Sequence, residues 1–162
     1  LSHSTWSVLM LTLHIELFVQ LHYRESIAPD RELSALFKDV FLHHWQDERQ
    51  HAVLDELELK RLDATLGEEE RDRGVDDFID LVSAVDALLQ VQAASDAAYF
   101  STVCGRRLVT AEAEAIGRHF LKAYRWQYIL SGASHPHFQR ILKSLVTGAQ
   151  LARITAAVGT LA

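Results

Sequence analysis

The sequence predicts an all-α domain. Only two prolines and seven glycines interrupt a 162-residue chain in which alanine and leucine are abundant. Apolar residues recur at steps of three and four, the period of a helix face. Hydrophobic residues at 49% against charged residues at 23% match a globular core with a solvated surface. The length is that of one domain and suffices for a sizeable core without staples. A net charge of −6, from 16 basic and 22 acidic residues, gives no global electrostatic support for binding nucleic acid or an anionic membrane surface. The single cysteine, Cys104, excludes an intramolecular disulfide framework and fits a reducing cytoplasm.

The first helix is expected over residues 5–26, with Leu9, Leu13, Glu16, Leu17 and Gln20 on one face. Being apolar nearly all round, it should be the most buried of the helices. Its stretch 8–19 raises the question of a signal peptide or membrane span. His14 and Glu16 interrupt that stretch, no basic cluster precedes it, and its apolar run falls short of about 20 residues, so a buried bundle helix explains it better. The chain begins at Leu1 without a methionine, which leaves room for residues before it.

Ala28-Pro29-Asp30 should end this helix, because the residue before a proline avoids the α region and Asp30 can cap the next helix. That second helix is expected over 31–63. Leu33, Phe37, Val40, His44, Glu48, His51 and Asp55 form a stripe along it whose first half reads as core-facing. Glu48 and His51, three apart, share that face and can grip one ion. An ionised group buried without a partner costs several kcal/mol, roughly, so a carboxylate on a core stripe calls for a partner or a metal. Further on, Glu56 and Lys60 read as a solvated i,i+4 pair.

Residues 67–74, a run of charges with a glycine at each end, read as a mobile linker between two helical hairpins. The third helix is expected over 75–104, with Phe78, Val82, Val85, Leu89, Gln92, Asp96, Tyr99 and Val103 on its stripe, closed by Gly105 and followed by Arg106-Arg107 at its carbonyl end. The fourth, over 110–130, should start from a Thr110 cap with Glu112 and Glu114 in its first turn. Its inner face reads Ala113, Ile116, Gly117, Phe120, Tyr124 and Gln127. A turn around His135-Pro136-His137 opens a short helix over 136–146, and the capping box Thr147-x-x-Gln150 opens another over 148–158.

The segment Asp47-Glu48-Arg49-Gln50-His51-Ala52 resembles the Glu-x-x-His-Ala segment of the ferritin-like superfamily and, with Asp47, the Asp-Glu-x-x-His of its diiron oxygenases. Glu16, 32 residues before Glu48, stands about where the lone glutamate of that superfamily's first bundle helix stands. The resemblance implies a ferritin-like four-helix bundle, here with two short C-terminal helices, and half of an inward-facing iron or manganese site. The second hairpin departs from the pattern. Counting 32 on from Gln92 reaches Tyr124, with Gln127 three beyond, so Gln92, Tyr124 and Gln127 stand where Glu and Glu-x-x-His are expected. Asp96 is the one acid in that hairpin placed to share a metal with Glu16, Glu48 and His51, and His44, one turn before Glu48, is placed to support them. Three occupancies are open: one ion, a weak dinuclear site, or a bundle that has lost its metal and closed the gap with hydrogen bonds.

Two functions are compatible with these residues. In the first, Glu16, Glu48 and His51 hold iron or manganese in an oxidoreductase or oxygenase that activates O2 or a peroxide towards a small organic substrate in the bundle core. In the second, the bundle is metal-free and serves as a small-ligand binder or dimerising module; the resemblance makes a homodimer the expected assembly in either case. Storage in a multi-subunit shell ranks below both. His43 should face away from the stripe, and His135 and His137 read as residues of a turn. Trp45, Trp126, Tyr124 and Tyr128 read as core filling rather than an electron relay. Cys104, near a helix C-terminus, is poorly placed for a reactive thiolate.

Overall fold

A computed structural model describes residues 3–161, and among them every regular element is helical. Helix α1, Thr5–His22, starts where the Ser4 hydroxyl accepts from the Ser7 amide, and it runs on into a π turn, Tyr23–Ile27. Asp30 behaves differently from its expected role. Its carboxylate accepts from the amides of Glu32 and Leu33 in a local turn, and Ser34 becomes the true cap, accepting from Phe37 N at 3.2 Å. The second helix, α2, therefore spans Ala35–Asp63 and begins four residues later than Arg31. Serine as a cap satisfies an amide at the helix start, whereas Asp30 satisfies the turn before it.

The charged stretch 67–74 is not a linker. Helix α3 spans Glu68–Val103 and takes that stretch as its first two turns. Glu68, Glu69 and Glu70 lie at its positive N-terminus, and Glu70 Oε2 accepts from the Gly67 amide at 2.9 Å. Arg71 reaches back to Asp63 at 2.8 Å and locks the short turn between α2 and α3. Gly74 marks close packing rather than a break: a Cβ there would stand 3.0 Å from the Trp6 ring. At the other end Gly105 does close the helix as expected, with φ +73° in the left-handed region.

Helix α4 spans Thr110–Arg125; its first amide, that of Val109, is held by Glu112 rather than by a Thr110 cap. Arg106 forms a two-pronged pair with the same Glu112 at 3.0 Å, so it does not sit on the α3 carbonyl end. A π turn, Trp126–Leu130, and one further helical turn, α5 at Ser131–Ala133, prolong α4 past its expected end. Helix α6, Pro136–Leu145, and helix α7, Gly148–Gly159, match their expected places to within a residue. The Thr147-Gln150 capping box is present in both directions, at 2.9 and 3.3 Å.

Helix α1 packs along α2 and α3, and α3 packs along α4, while α5 and α6 close on α1 and α7 closes on α3. Among the described residues α2 and α4 do not pack along one another. The core is therefore gathered at one end, around Trp6, Met10, Leu13, Leu59, Val75 and Phe78, and α6 and α7 cap it with Phe138, Leu142 and Ile154. Seven of the 18 residues of α1 are buried against seven of 36 in α3, so the first helix is the most deeply buried long helix, as its composition implies.

Two stripes are corrected. Phe37 and Val40 of α2 are exposed, and α2 buries only Ala52 and Leu59. On α3 the buried row is Val75, Phe78, Val82, Asp86, Ala93 and Ala97, so Gln92, Tyr99 and Val103 face outward. The cause is visible at Gly117 of α4, where a Cβ would lie 3.8 Å from the Ala97 methyl: small residues bring the two helices together and set which face of α3 is inside. By length and composition α3, rather than α1, is also long and apolar enough to cross a membrane, with 22% of its apolar window buried. That helix nevertheless carries Asp86, which α4 partners through Arg125.

Candidate metal centre

Glu16 projects from the middle of α1, and Glu48 and His51 project from successive turns of α2 across the seam between them. One ligand atom from each lies within 4.8 Å of the others. The hairpin brings them together because Leu13 and Leu17 on α1, with Ala52 and Leu59 on α2, bury the same seam. Gln20, one turn beyond Glu16, donates to the Glu48 backbone carbonyl at 3.5 Å. His51 Nδ1 lies 2.7 Å from Glu48 Oε2 and 4.0 Å from Glu16 Oε1. His44 Nδ1 lies 3.1 Å from the other Glu48 oxygen, in the supporting position expected of it.

The carboxylates are sheltered and the imidazoles are open. Side-chain exposure is 16% for Glu16 and 14% for Glu48, against 56% for His51. Burial, then the neighbouring Glu48 carboxylate, then Asp55 push Glu16 up to about 8. Glu48 is held below the usual carboxylate range, first by a hydrogen bond from Glu16 and then by His51 and His44. One proton is thus retained at neutral pH, on the Glu16 side of the pair.

A cation fits this arrangement. Glu16 Oε2 is buried and has no hydrogen-bond partner. Among the described residues no lysine or arginine pairs with either carboxylate. Two carboxylate groups and an imidazole, half open to solvent, form a donor set suited to a borderline divalent ion such as iron(II) or manganese(II) with coordination positions to spare.

Asp96 is not in this cluster. Its Oδ2 accepts from Tyr124 at 2.5 Å and from Gln92 at 2.9 Å, on the α3–α4 seam. The hydroxyl that meets it is that of Tyr124, and neither Arg125 nor His51 is bonded to it. The tyrosine is pushed up to about 12 by that carboxylate, and Asp96 is lowered in turn. Gln92, Asp96 and Tyr124 therefore do meet, but as a hydrogen-bonded trio of their own. Gln127 is half-buried in the π turn, its backbone carbonyl accepting from Ser131 at 2.7 Å.

The remaining singled-out residues lie elsewhere. His43 is exposed and stands 3.9 Å from Asp39, away from the cluster. His135 caps α6 by accepting from the His137 amide, and His137 pairs with Glu56 at 2.7 Å, so Glu56 is more than half of a solvated pair with Lys60. Trp45 stacks on Tyr23 at 5.4 Å and carries the Arg49 guanidinium over its face at 4.9 Å. The sequence reading missed the Asp86–Arg125 pair, two hydrogen bonds of 2.7 and 2.9 Å with Gln90 as a third partner. An acid inside the apolar run from Val82 to Leu89 was the available signal.

Fold and site together define an all-α protein with a half-buried Glu–Glu–His cluster on its first hairpin. Comparisons with protein-family profiles, with characterised proteins and with solved structures return no match.

Proposed function

We propose that this chain is a ferritin-like helical bundle whose first hairpin binds a single iron or manganese ion through Glu16, Glu48 and His51. The observation that carries the reading is the buried, partnerless Glu16 oxygen beside a second carboxylate and an imidazole. Four carboxylates and two histidines would be needed for a full dinuclear set; with Asp96 committed to Tyr124, one ion is the better match.

A bound ion would supply positions at which O2 or a peroxide can be activated towards a small organic substrate. The chain's own contribution is positional. His44 holds one Glu48 oxygen, Gln20 ties the two helices at that level, and the proton kept by Glu16 leaves when a cation enters. A groove of about 840 Å³, lined by Leu17, Gln20, Arg24, Arg49 and Ala52 among others, runs beside the same seam and offers room for a substrate. Metal analysis of protein purified without chelators and reconstituted with iron or manganese tests the reading. About one equivalent is expected, and less than about a tenth of an equivalent would overturn it.

A second reading has an observation of its own. Because Glu16 keeps a proton at neutral pH, it can donate it to Glu48 and close the cluster without metal. The chain would then be a ligand-binding or homodimerising module, a role favoured by the apolar side chains exposed on α2 and α3, among them Leu36, Val40, Leu88 and Val91. Glu48→Gln separates the two. The metal-binding protein loses its ion, whereas the metal-free module keeps its fold and its assembly.

A further inference from the structure

Helix α3 packs on α1, α4 and α7, and its buried row runs through Val82, Asp86, Ala93 and Ala97. The opposite side is bare. There Ala84, Leu88, Val91, Ser95, Ala98 and Thr102 follow one another at steps of four and three, and all six are exposed. Leu88 and Val91 are each 70% exposed. From Ser83 to Val103, roughly 30 Å of helix, no charged side chain faces solvent, because the two acids of that stretch are engaged, Asp86 by Arg125 and Asp96 by Tyr124. A helix face that stays in water carries charged side chains. A contiguous uncharged and largely apolar face marks an interaction surface instead.

Area and pattern both point to the occupant. A compact chain of 18.3 kDa exposes about 8,100 Å², whereas this one exposes 10012 Å². The surplus of about 1,900 Å² exceeds the ~800 Å² that each partner buries in a standard interface. The outward row is also its own complement, since its steps of four, three, four, three and four read the same in both directions. Turned about a two-fold axis at the level of Ala93, Leu88 meets Ala98, Val91 meets Ser95 and Ala84 meets Thr102 of a second copy. A larger side chain faces a smaller one in every pair. Each contact then occurs twice, as in an isologous interface, and the spacing is that of a coiled-coil seam. Beside the row, a groove lined by Leu88, Val91, Tyr124 and Tyr128 broadens the same face towards α4.

We propose that this face of α3 pairs with itself, so that two copies of the chain form a dimer through antiparallel α3 helices centred on Ala93. A membrane is the poorer occupant: surface helices hold anionic lipid through Lys and Arg, whereas α3 opens with Glu68, Glu69 and Glu70 in a chain of net charge −6. The exposed apolar side chains of α2 are not part of this seam. The pairing requires neither reading of the Glu16 cluster, which lies between α1 and α2.

The experiment uses the whole chain, with sedimentation equilibrium as readout. Twice the mass of 18.3 kDa is expected at about 10 μM, since interfaces of standard size hold from μM to pM, and added iron or manganese should not change it. Val91→Glu puts a charge into the seam at a position open in the single chain, so it should leave the circular dichroism spectrum intact and weaken association at least about a hundredfold, because an unpaired charge resists burial. Leu36→Glu, on the exposed face of α2, should leave the dimer unchanged. The register is read by oxidation in a Cys104→Ser background. Val91→Cys chains mixed with Ser95→Cys chains should join to one another and neither to itself: a disulfide needs Cα atoms within about 7 Å, and antiparallel pairing offsets like positions by roughly 6 Å along the axis. A monomer, whether free or bound to vesicles containing phosphatidylserine, would overturn the proposal. So would a dimer that survives Val91→Glu, one that Leu36→Glu dissociates, or crosslinking of like with like.

Discussion

Replacing Asp86 by Asn tests whether the α3–α4 seam depends on one buried charge pair. The Asp86 side chain is 7% exposed and that of Arg125 24%. Three hydrogen bonds converge on the carboxylate, two from Arg125 and one from Gln90. Removing one partner of a buried pair costs about 3–5 kcal/mol, mostly because the other charge is stranded. Here a quarter of the arginine already meets water and can rehydrate, and Asn fills the same volume, so the expected loss is nearer ~2–3 kcal/mol. With a urea slope of about 2 kcal/mol/M for a chain of this size, the midpoint should fall by ~1–1.5 M. Circular dichroism during urea titration reads it directly. The double substitution Asp86→Leu with Arg125→Met should recover most of the loss, since an apolar pair strands no charge. Arg125 holds the Asp86 carboxyl below the usual range. The pair's contribution is therefore complete above the ordinary aspartate value and disappears as pH falls through the lowered one, so native and Asp86→Asn proteins should converge in acid. A midpoint shift under about 0.3 M, or a double variant as weak as the single one, would refute the account.

Substitutions at three other positions have equally concrete outcomes. Glu16 is raised to about 8, so metal-free protein should lose stability as pH rises from the ordinary carboxylate value through 8. Glu16→Gln should remove that slope, a gain of ~1–2 kcal/mol at pH 8.5 after allowance for solvent access, read by thermal melts across pH. Gly74→Ala places a Cβ 3.0 Å from the Trp6 ring and should destabilise by ~1–3 kcal/mol, with a change in tryptophan emission. If Gly74 were merely the end of a linker, alanine there would stabilise instead. Thr147→Ala removes the hydroxyl that caps α7 and should cost ~1 kcal/mol in urea titration, while Thr147→Ser should be nearly neutral.

The helical class and most element ends could be read from the sequence because their causes are local: a serine or threonine hydroxyl near a free amide, a glycine past a helix end, a proline at a first turn. The spacing of Glu48 and His51 is local too, and pairing them with Glu16 needed only the antiparallel hairpin. What escaped the sequence was set by neighbours distant in the chain. Whether residues 67–74 wander or coil depends on Arg71 finding Asp63 and on Gly74 finding Trp6. The inner face of α3 depends on Ala97 nesting at Gly117, and so Asp96 went to Tyr124. Phe37 and Val40 carry a core-like pattern yet stay exposed among the described residues, and periodicity alone cannot tell a covered stripe from an uncovered one.

The lopsided placement of the core gives the molecule two tempos. Amides near Leu59, Val75 and Met10 belong to the densely packed end and should exchange with solvent deuterium only through global opening, whereas those in the first half of α2 should exchange through frequent, inexpensive local excursions. Glu48 and His51 stand on the border between these regimes, with Ala52 the first buried residue of α2. A ligand entering there meets one rigid wall, α1, and one yielding wall, α2, so occupancy should slow exchange in residues 35–51 selectively and leave the far end untouched.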